Sequence, residues 1–515
     1  MNTPDTLIVG AGSAGAALAA RLSENGARHV LLLEAGPNYR SSETPPEIQR
    51  SNPWQVILDP KFRQLYQWPR LNARSNDHQN IRPMWRGRGV GGSSAINALL
   101  AIRGVPEAFD LWQAEGCHGW SYADVLPYFV KLEDDVDFGD QAYHGRGGPI
   151  PVTREPLEAW GAVDLAQRAA ALDCGYPWHD DHNAPGSTGV SPYALNIRNG
   201  QRVSTNDGYL EPARHRPNLQ IHGDVLVDRV LFEGRTAVGV RARVEGRWTE
   251  LKAGEVVLAA GAVHSPAILM RSGIGAPETV KQCGLDPLVD LPAVGGNLIE
   301  HPIINVELHL RPESRAVPEA RHVTCCVRYS SELVGAGVND MIVIAMNLRG
   351  FDQASCMSGL MSVSAFQSFS RGTVKLRSAD PDEDPEVELC MLSDDRDLVR
   401  MRDGARRVFE LTRHSAVQDI AERVTLAKTE VNSEEPDDGE LDQLLMEEVG
   451  DALHVSGTCR MGATDDPRSV VDADGRVLGV KRLRVVDASV IPEDPRANTN
   501  LTTIMIGEHV ADRMK

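Results

Sequence analysis

A glycine-rich turn between two apolar strands, close to the start of the chain, most restricts the folds open to this sequence. The strand Thr6–Val9 runs into Gly10-Ala-Gly12-Ser-Ala-Gly15, an apolar helical pattern follows, and a second apolar strand covers residues 29–33. Gly10 permits a tight turn, Gly12 lets the backbone approach a pyrophosphate, and Gly15 lets helix and strand pack closely. The unit predicts a doubly wound, Rossmann-like α/β domain that binds a dinucleotide.

The contacts to this dinucleotide follow from the same unit. Glu34 ends the second strand about 20 residues after the last glycine, where a carboxylate accepts hydrogen bonds from the ribose hydroxyls. A carboxylate here repels a 2′-phosphate, which disfavours NADP. The start of the helix offers free N–H groups to the pyrophosphate. The predicted cofactor-binding residues of this unit are Gly10, Gly12, Ser13, Ala14, Gly15, Glu34 and Ala35.

A second glycine-rich loop lies in the stretch 85–97. It has four glycines within six positions, then two serines and an apolar segment that we expect to be helical. Such a backbone comes close to something flat or anionic, and the alternative is a tight turn before a core helix. A nicotinamide dinucleotide does not need a second loop, whereas a flavin, whose ring is far from its pyrophosphate, does. The predicted contacts are Arg86, Gly91, Gly92, Ser93 and Asn97.

Two further stretches carry polar groups towards the same region. The strand 254–261 leads into a helix that we expect to start at Ser265-Pro266, which makes Ala260 a second nucleotide-contacting position and His264 a structural residue. Near the C-terminus, His454 offers a base, and Asn498 offers an amide at the point where a loop turns into an apolar helix. For His454 the alternative is an ordinary core histidine.

Composition narrows the class of protein. The 515 residues favour about three domains, and 72 acidic against 53 basic residues disfavour a nucleic-acid or anionic-membrane partner. The eight cysteines show no zinc spacing, and Trp178–Asn183 is interpreted as a polar turn, so no metal is predicted. No apolar run reaches a membrane-spanning length and no signal peptide is evident. We therefore expect a cytoplasmic protein with reduced thiols.

Five stretches together resemble the glucose-methanol-choline (GMC) family of FAD oxidoreductases, in order and spacing, over nearly the whole chain. They are 10–36, 87–97, 261–275, Val294–Pro302 and the C-terminal block 451–508. Within the family, the chain is most similar to the compact bacterial branch that includes 5-hydroxymethylfurfural oxidases, aryl-alcohol oxidases and choline-dehydrogenase-like proteins. The stretches 137–140, 147–151 and 497–500 resemble the furfural-alcohol oxidases of that branch.

The resemblance implies an FAD cofactor and further contacts to it. Family members that bind FAD covalently carry a His immediately before the Asn of the second loop, and Ile96 stands there, so non-covalent FAD is expected. Val227 is expected at the adenine side and Asp487 near the pyrophosphate or ribityl chain. The final helix is expected to start around Asn500 and to direct its N-terminus at the flavin, with Asn500, Leu501 and Thr502 as contacts.

The resemblance also implies a discontinuous domain organisation. Residues 1–155, 203–310 and 450–515 are assigned to the FAD-binding domain, and 156–202 and 311–449 to a substrate domain built on an antiparallel sheet flanked by helices. Residues 341–346, 360–366 and 372–377 are predicted strands of that sheet, and 397–413 a predicted helix. Ala365, Phe366 and Leu453 are predicted to line the substrate pocket.

The implied reaction is oxidation of a primary or secondary alcohol. His454, with an ordinary pKa near 6.5, takes the hydroxyl proton while the carbon gives hydride to flavin N5, and Asn498 holds the same oxygen. Ala452 and Leu453 place no large aromatic beside the base, which predicts a roomy pocket. Oxygen is the expected acceptor. The alternatives are a dehydrogenase with a quinone or protein acceptor, and an FAD-containing hydroxynitrile lyase.

Overall fold

The computed structural model describes residues 3–431 and 436–515. The strands of its three largest sheets are β1 (Thr6–Val9), β2 (Val30–Leu33), β3 (Gly189–Pro192), β4 (Leu219–His222), β5 (Leu226–Glu233), β6 (Thr236–Val244), β7 (Arg247–Lys252), β8 (Glu255–Leu258), β9 (Pro302–Leu310), β10 (Cys325–Tyr329), β11 (Met341–Met346), β12 (Ser358–Ala365), β13 (Ala421–Leu426), β14 (Thr429–Glu430), β15 (Gly450–Asp451) and β16 (Leu483–Val485). The α-helices longer than four residues are α1 (Ser13–Leu22), α2 (Trp54–Leu58), α3 (Pro60–Tyr66), α4 (Pro106–Ala114), α5 (Tyr122–Leu132), α6 (Ala162–Asp173), α7 (Gly261–Arg271), α8 (Pro277–Gln282), α9 (Asp395–Thr412), α10 (Ser415–Ile420), α11 (Asp438–Glu448) and α12 (Thr499–Arg513).

A five-stranded parallel sheet carries both ends of the chain. Its order is β4-β2-β1-β8-β16, and all of its pairs are parallel. The four residues of β1 are fully buried, as expected for a parallel strand that is covered on both faces. Helices α1 and α12 lie against each other so closely that a Cβ on Gly507 would meet the Ala14 carbonyl oxygen at 2.7 Å. The predicted Rossmann-like unit is confirmed.

The second layer is an eight-stranded antiparallel sheet with the order β14-β13-β9-β12-β11-β10-β3, to which β15 adds by pairing with β9. Its two faces alternate along each strand. Ile304, Val363 and Val343 face one way, towards the helices of the main core, which include α9. Ile303 and Ile342 face the other way, in a smaller apolar cluster that also contains Ala497, the residue before Asn498. This second face covers the nucleotide layer.

The structure corrects two details of the predicted substrate domain. Residues 302–310 form β9 of the eight-stranded sheet, so the boundary expected at residue 310 lies too late. Thr373–Lys375 does not join that sheet but pairs with Glu386–Glu388 in a separate hairpin. β9 begins at a proline, and Thr373–Lys375 is only three residues long. The sequence of neither strand specifies the strand with which it pairs.

Two predicted helix starts are also corrected. Gly92–Ala95, within the second glycine-rich loop, forms a short 3₁₀ turn, and residues 97–105 contain no helix. Helix α7 begins at Gly261, not at Ser265-Pro266, so Pro266 lies within it. Proline has no N–H to donate to the carbonyl four residues before it. The Thr458 hydroxyl donates to that carbonyl, on Ala262, at 2.6 Å.

Thr458 and His454 lie in the same loop, so this bond ties the loop to the nucleotide domain.

No helix in the described residues is long and apolar enough to cross a membrane. All eight cysteines are free thiols, and the Cys325-Cys326 pair is buried in the core strand β10.

Candidate active site

The imidazole and the amide that the sequence predicts as a pair lie side by side. His454 follows β15 in a loop, and Asn498 lies at the N-terminal end of α12. The Asn498 Nδ2 atom is 2.9 Å from His454 Nε2. Leu453, immediately before the base, has a φ of +66°, a conformation that costs a non-glycine residue of order 1 kcal/mol and that recurs at functional sites. The backbone is bent at this position so that the ring turns towards α12.

Asn498 occupies the N-cap position of α12 but does not cap it. Its side chain makes no hydrogen bond to the first turn, although asparagine is among the preferred capping residues. Its Oδ1 atom is buried and has no hydrogen-bond partner within the described parts of the chain. The first N–H groups of α12 are therefore left for an anionic or polar group outside the helix.

A second histidine, which sequence reasoning did not assign, lies behind the base. His301 Nδ1 is 2.9 Å from His454 Nδ1, and His301 Nε2 is 2.8 Å from both carboxylate oxygens of Asp494. The signal for it was the stretch Val294–Pro302, which carried the family resemblance but no assigned role. Tertiary structure brings residues 301, 454, 494 and 498 into one line of hydrogen bonds.

The pKa of the base is not the ordinary value that the sequence suggests. Burial lowers the pKa of His454 well below its usual range, and Coulombic repulsion from Arg86, and from His301 when it is protonated, lowers the pKa further. His454 is therefore a neutral imidazole at physiological pH, the state in which a ring nitrogen accepts a proton. A neutral resting ring next to a reacting hydroxyl is the requirement for a general base.

Arg86 and Glu300 hold the loop of the base. The Arg86 Nη1 atom donates to the Leu453 carbonyl at 2.9 Å, and Arg86 Nη2 lies 3.6 Å from the Glu300 carboxylate. Glu300 accepts the backbone N–H of His454 at 2.7 Å and that of His301 at 2.9 Å. Burial, together with the nearby Asp451 carboxylate, raises the pKa of Glu300 to about 7 against the opposing effect of Arg86.

The predicted pocket residues divide between the two faces of the sheet. Phe366, just beyond β12, packs with its ring edge-to-face against His454 at a centroid distance of 5.9 Å. The expectation that no large aromatic flanks the base is therefore wrong, because the ring comes from a distant strand. Ala365 is buried on the opposite face, in the main core, as the two-residue alternation of a strand requires. Leu453 is partly exposed beside the base.

The two glycine-rich loops touch each other backbone to backbone. Gly92 has a φ of +50°, and a Cβ on it would lie 2.7 Å from the Cα of Gly12. Gly91 donates its N–H to the Ala11 carbonyl at 2.9 Å. Because both loops are this close, a single extended cofactor can contact both of them.

Glu34 bonds to both loops. Its carboxylate accepts the N–H groups of Ala11, Gly36 and Gly89, each at 2.9 Å. Burial raises the pKa of Glu34, while these backbone bonds oppose the shift. A carboxylate has about four acceptor positions, and three are used. The geometry thus leaves one position for a ribose hydroxyl instead of the two that the sequence suggested.

Asp487 organises the second nucleotide corner. Its carboxylate accepts the Gly261 N–H at 2.8 Å and the Ser265 hydroxyl at 2.6 Å, and its other oxygen accepts both the N–H and the hydroxyl of Ser489. With these bonds Asp487 shapes the corner that contains Ala260. A Cβ on Gly261 would have no neighbour within 4 Å, so the corner faces open space.

The remaining predicted contacts have defined places around this space. In the second loop, the Ser93 hydroxyl accepts the Gly87 N–H at 3.2 Å, and the Asn97 side chain accepts the Leu99 N–H at 3.0 Å. Ile96 is buried in a small apolar cluster. The other positions are Ser13 and Asn500, whose side chains bond at 2.9 Å, Ala14 and Gly15 in α1, Gly10 before it, Ala35 after β2, Val227 in β5, and Leu501 and Thr502 in α12.

The residues present fit a flavin dinucleotide. Three buried polar atoms around the glycine loops have no hydrogen-bond partner in the described residues. They are Arg86 Nε, Asn498 Oδ1 and Thr502 Oγ1. Arg86 lies at the start of the second glycine loop, Asn498 beside the base and Thr502 in the first turn of α12. Such atoms are costly unless a ligand or water satisfies them. The open corner at Gly261 and the contact between the loops complete an extended binding groove.

A second polar cluster, within residues 133–144, consists of acidic groups that are already paired with basic side chains. Glu133, Asp135 and His144 lie close enough together to bind a metal ion. However, Arg154 bonds to Asp135 at 2.9 Å, Arg103 bonds to Glu133, and His144 bonds to Glu133. The His182 side chain, in the polar turn predicted from sequence, bonds to Ser191 at 3.0 Å and does not point into this cluster.

A Rossmann-like layer with two touching glycine loops, covered by an antiparallel sheet and bordered by an imidazole in a loop and an amide at a helix start, defines a flavin-dependent oxidoreductase. Models of the GMC oxidoreductase family match residues 4–303 and 368–507. The chain belongs to this family, whose members bind FAD.

Curated relatives and solved structures agree with this assignment. The chain is 38% identical to 5-(hydroxymethyl)furfural oxidase of Methylovorus sp. (strain MP688), over 99% of this chain and 98% of the relative. It is 35% identical to oxygen-dependent choline dehydrogenase of Klebsiella pneumoniae (strain 342), over 99% and 96%. The crystal structure of pyridoxine 4-oxidase from Mesorbium loti superposes with a TM-score of 0.89 at 30% identity, over 99% of both chains.

Proposed function

We propose that this protein oxidises a primary or secondary alcohol to the carbonyl compound, with His454 as the base and Asn498 as the residue that orients the substrate oxygen. The observation that carries the proposal is the contact of 2.9 Å between Asn498 Nδ2 and His454 Nε2, next to the unpartnered N-terminus of α12. A hydroxyl placed between these two side chains meets both a proton acceptor and an amide donor.

The chain's own groups have distinct tasks in this reaction. When bound, FAD supplies a hydride acceptor at N5. His454 Nε2 takes the hydroxyl proton, which concentrates negative charge on the substrate oxygen. Asn498 Nδ2 donates to that oxygen and holds the carbon in position. The N-terminus of α12 and the Arg86 side chain favour negative charge on a group bound in front of them. Ile96, buried before Asn97, supports non-covalent FAD.

For the substrate we propose a neutral, flat primary alcohol such as a furanic, benzylic or pyridyl methanol. The carboxylates nearest the base are buried and engaged, Asp494 with His301 and Glu300 with Arg86 and the backbone. The Phe366 ring lies beside the base, with its centroid 5.9 Å from that of the His454 ring. A quaternary ammonium alcohol needs an accessible carboxylate or several aromatic faces. The named relatives include oxidases of a furanic alcohol and of pyridoxine, as well as a choline dehydrogenase.

We propose oxygen as the electron acceptor, with hydrogen peroxide as the product. The furanic relative and the pyridoxine enzyme are both named oxidases, and the choline enzyme is named oxygen-dependent. The second candidate is a dehydrogenase of the same fold with a quinone or protein acceptor.

Anaerobic mixing of the holoenzyme with a panel of alcohols tests these proposals. We expect furanic and benzylic alcohols to bleach the flavin faster than choline, and oxygen to restore the colour rapidly. Slow recolouring that a quinone accelerates would favour the dehydrogenase. A His454→Ala variant should bleach about 10²–10⁴-fold more slowly, while the control His309→Ala, at the outer end of β9, should behave as the wild type. Normal bleaching by His454→Ala would refute the assigned base.

A further inference from the structure

We propose that His301 and Asp494 are positioning residues that hold His454 in one ring tautomer, with the proton on Nδ1 and a free lone pair on Nε2. The inference rests on the proposed role of His454 as the base. It assigns a task to two buried residues that touch neither the reacting oxygen nor the cofactor groove directly.

The three side chains form a line of hydrogen bonds. Asp494 lies 2.8 Å from His301 Nε2, and His301 Nδ1 lies 2.9 Å from His454 Nδ1. The side chains of His301 and Asp494 are each 1% exposed, so water does not compete for these bonds. At the far end, His454 Nε2 faces the amide nitrogen of Asn498.

Donor and acceptor roles follow from one end of the line to the other. An ionised carboxylate only accepts, so the proton of His301 is on Nε2, pointing at Asp494. A neutral imidazole carries one N–H, which leaves His301 Nδ1 as an acceptor and requires His454 Nδ1 to donate. His454 Nε2 then holds a lone pair, and the Asn498 amide N–H donates to it. While His301 is neutral, the arrangement is consistent at both ends only for this tautomer.

Surrounding groups keep the line rigid. The two backbone N–H groups of His301 and His454 are both held by the Glu300 carboxylate, and Phe366 stacks on the His301 ring at a centroid distance of 4.6 Å. Asp494 also accepts the N–H groups of Ser368 at 3.2 Å and Arg496 at 3.0 Å. Rotation of either ring would break several of these bonds together.

The same line responds to protonation. A second proton on His301 makes its Nδ1 a donor. His454 Nδ1 must then accept, so His454 adopts the tautomer whose Nε2 carries the proton and cannot take another. The charged groups that face these rings are Asp494 and Glu300, which favour this proton, and Arg86, which opposes positive charge on His454. Burial lowers the pKa of His301, but Asp494 outweighs it and the net pKa is raised. As pH rises through the pKa of His301, His454 Nε2 therefore regains the lone pair that accepts the substrate proton.

Nitrogen-15 NMR of histidine-labelled holoenzyme tests the tautomer directly, with His454→Gln used to assign the signals. In the wild type above the pKa of His301, we expect Nδ1 of His454 to be protonated and Nε2 not. The Asp494→Asn variant should show a mixture of tautomers and bleach at least 10-fold more slowly, with an unchanged flavin absorption spectrum. A wild-type ring with its proton on Nε2 under these conditions would overturn the proposal, even if no variant folds.

A matched control separates positioning from simple structural loss. His144→Gln also breaks a buried histidine–carboxylate pair, with Asp181 at 2.8 Å, but lies away from His454. We expect it to lower the melting temperature and leave the His454 tautomer and the pH profile of bleaching unchanged. An Asp494→Asn variant with the wild-type tautomer and pH profile would refute the positioning role. Wild-type bleaching by His454→Ala would instead refute the proposed base.

Discussion

The contact between the two glycine loops permits a sharp test, the substitution Gly92→Ala. An alanine at a φ of +50° costs roughly 1–2 kcal/mol in strain. Its Cβ would also lie 2.7 Å from the Cα of Gly12, whereas carbon atoms in contact are about 3.5–4.0 Å apart. The two loops therefore have to separate by about 1 Å, which moves one of them away from the cofactor.

The backbone strain lowers the stability of the fold, whereas the separation of the loops weakens FAD binding. If the shift removes one hydrogen bond between backbone and pyrophosphate, the loss is about 1.5–3 kcal/mol, because bonds to charged groups are strong. Since 1.4 kcal/mol corresponds to a tenfold change, FAD should bind roughly 10- to 100-fold more weakly. Titration of the apoprotein with FAD, followed by flavin fluorescence, measures this change.

Two other glycines supply matched controls. A Cβ on Gly246, in the turn between β6 and β7, would have no neighbour within 4 Å at a φ of +77°, so Gly246→Ala carries strain without a clash. Gly26→Ala carries neither. We expect Gly246→Ala to lower the melting temperature with little effect on FAD affinity, and Gly26→Ala to change neither. If Gly92→Ala binds FAD within about threefold of the wild type, the inferred role of the loop contact is wrong.

Two further predictions concern stability. Thr458→Val removes the hydroxyl that serves the Ala262 carbonyl and should lower the free energy of unfolding by about 1–3 kcal/mol in chemical denaturation; an unchanged midpoint would contradict the role given to this bond. Burial lowers the pKa of His144, but the bonds to Asp181 and Glu133 outweigh it and the pKa is raised, so its stabilising contribution is present below about pH 6.5 and is lost at higher pH. The melting temperature of His144→Gln should therefore depend less on pH above 6.5 than that of the wild type, and parallel curves would count against this account.

Local patterns predicted the nucleotide layer well because its signals lie close together in the chain. The strand Thr6–Val9, the turn Gly10–Gly15 and the helix after it need only neighbouring residues to be recognised. The same holds for Asn498, which stands at a visible loop-to-helix transition. Errors arose where the outcome depended on a distant partner. Pro266 marks an ordinary helix start unless a group such as the Thr458 hydroxyl serves the carbonyl that the proline leaves open.

The sequence by itself predicted the class of fold, the flavin cofactor and, as candidate site residues, His454 and Asn498. Glycine spacing and apolar periodicity are local consequences of backbone sterics and burial, and they survive without knowledge of the rest of the chain. Only the tertiary structure decided which groups surround that pair. Phe366 and His301 reach the base from strands far apart in sequence, and which face of a strand meets the site is set by pairing register, a property of the assembled sheet.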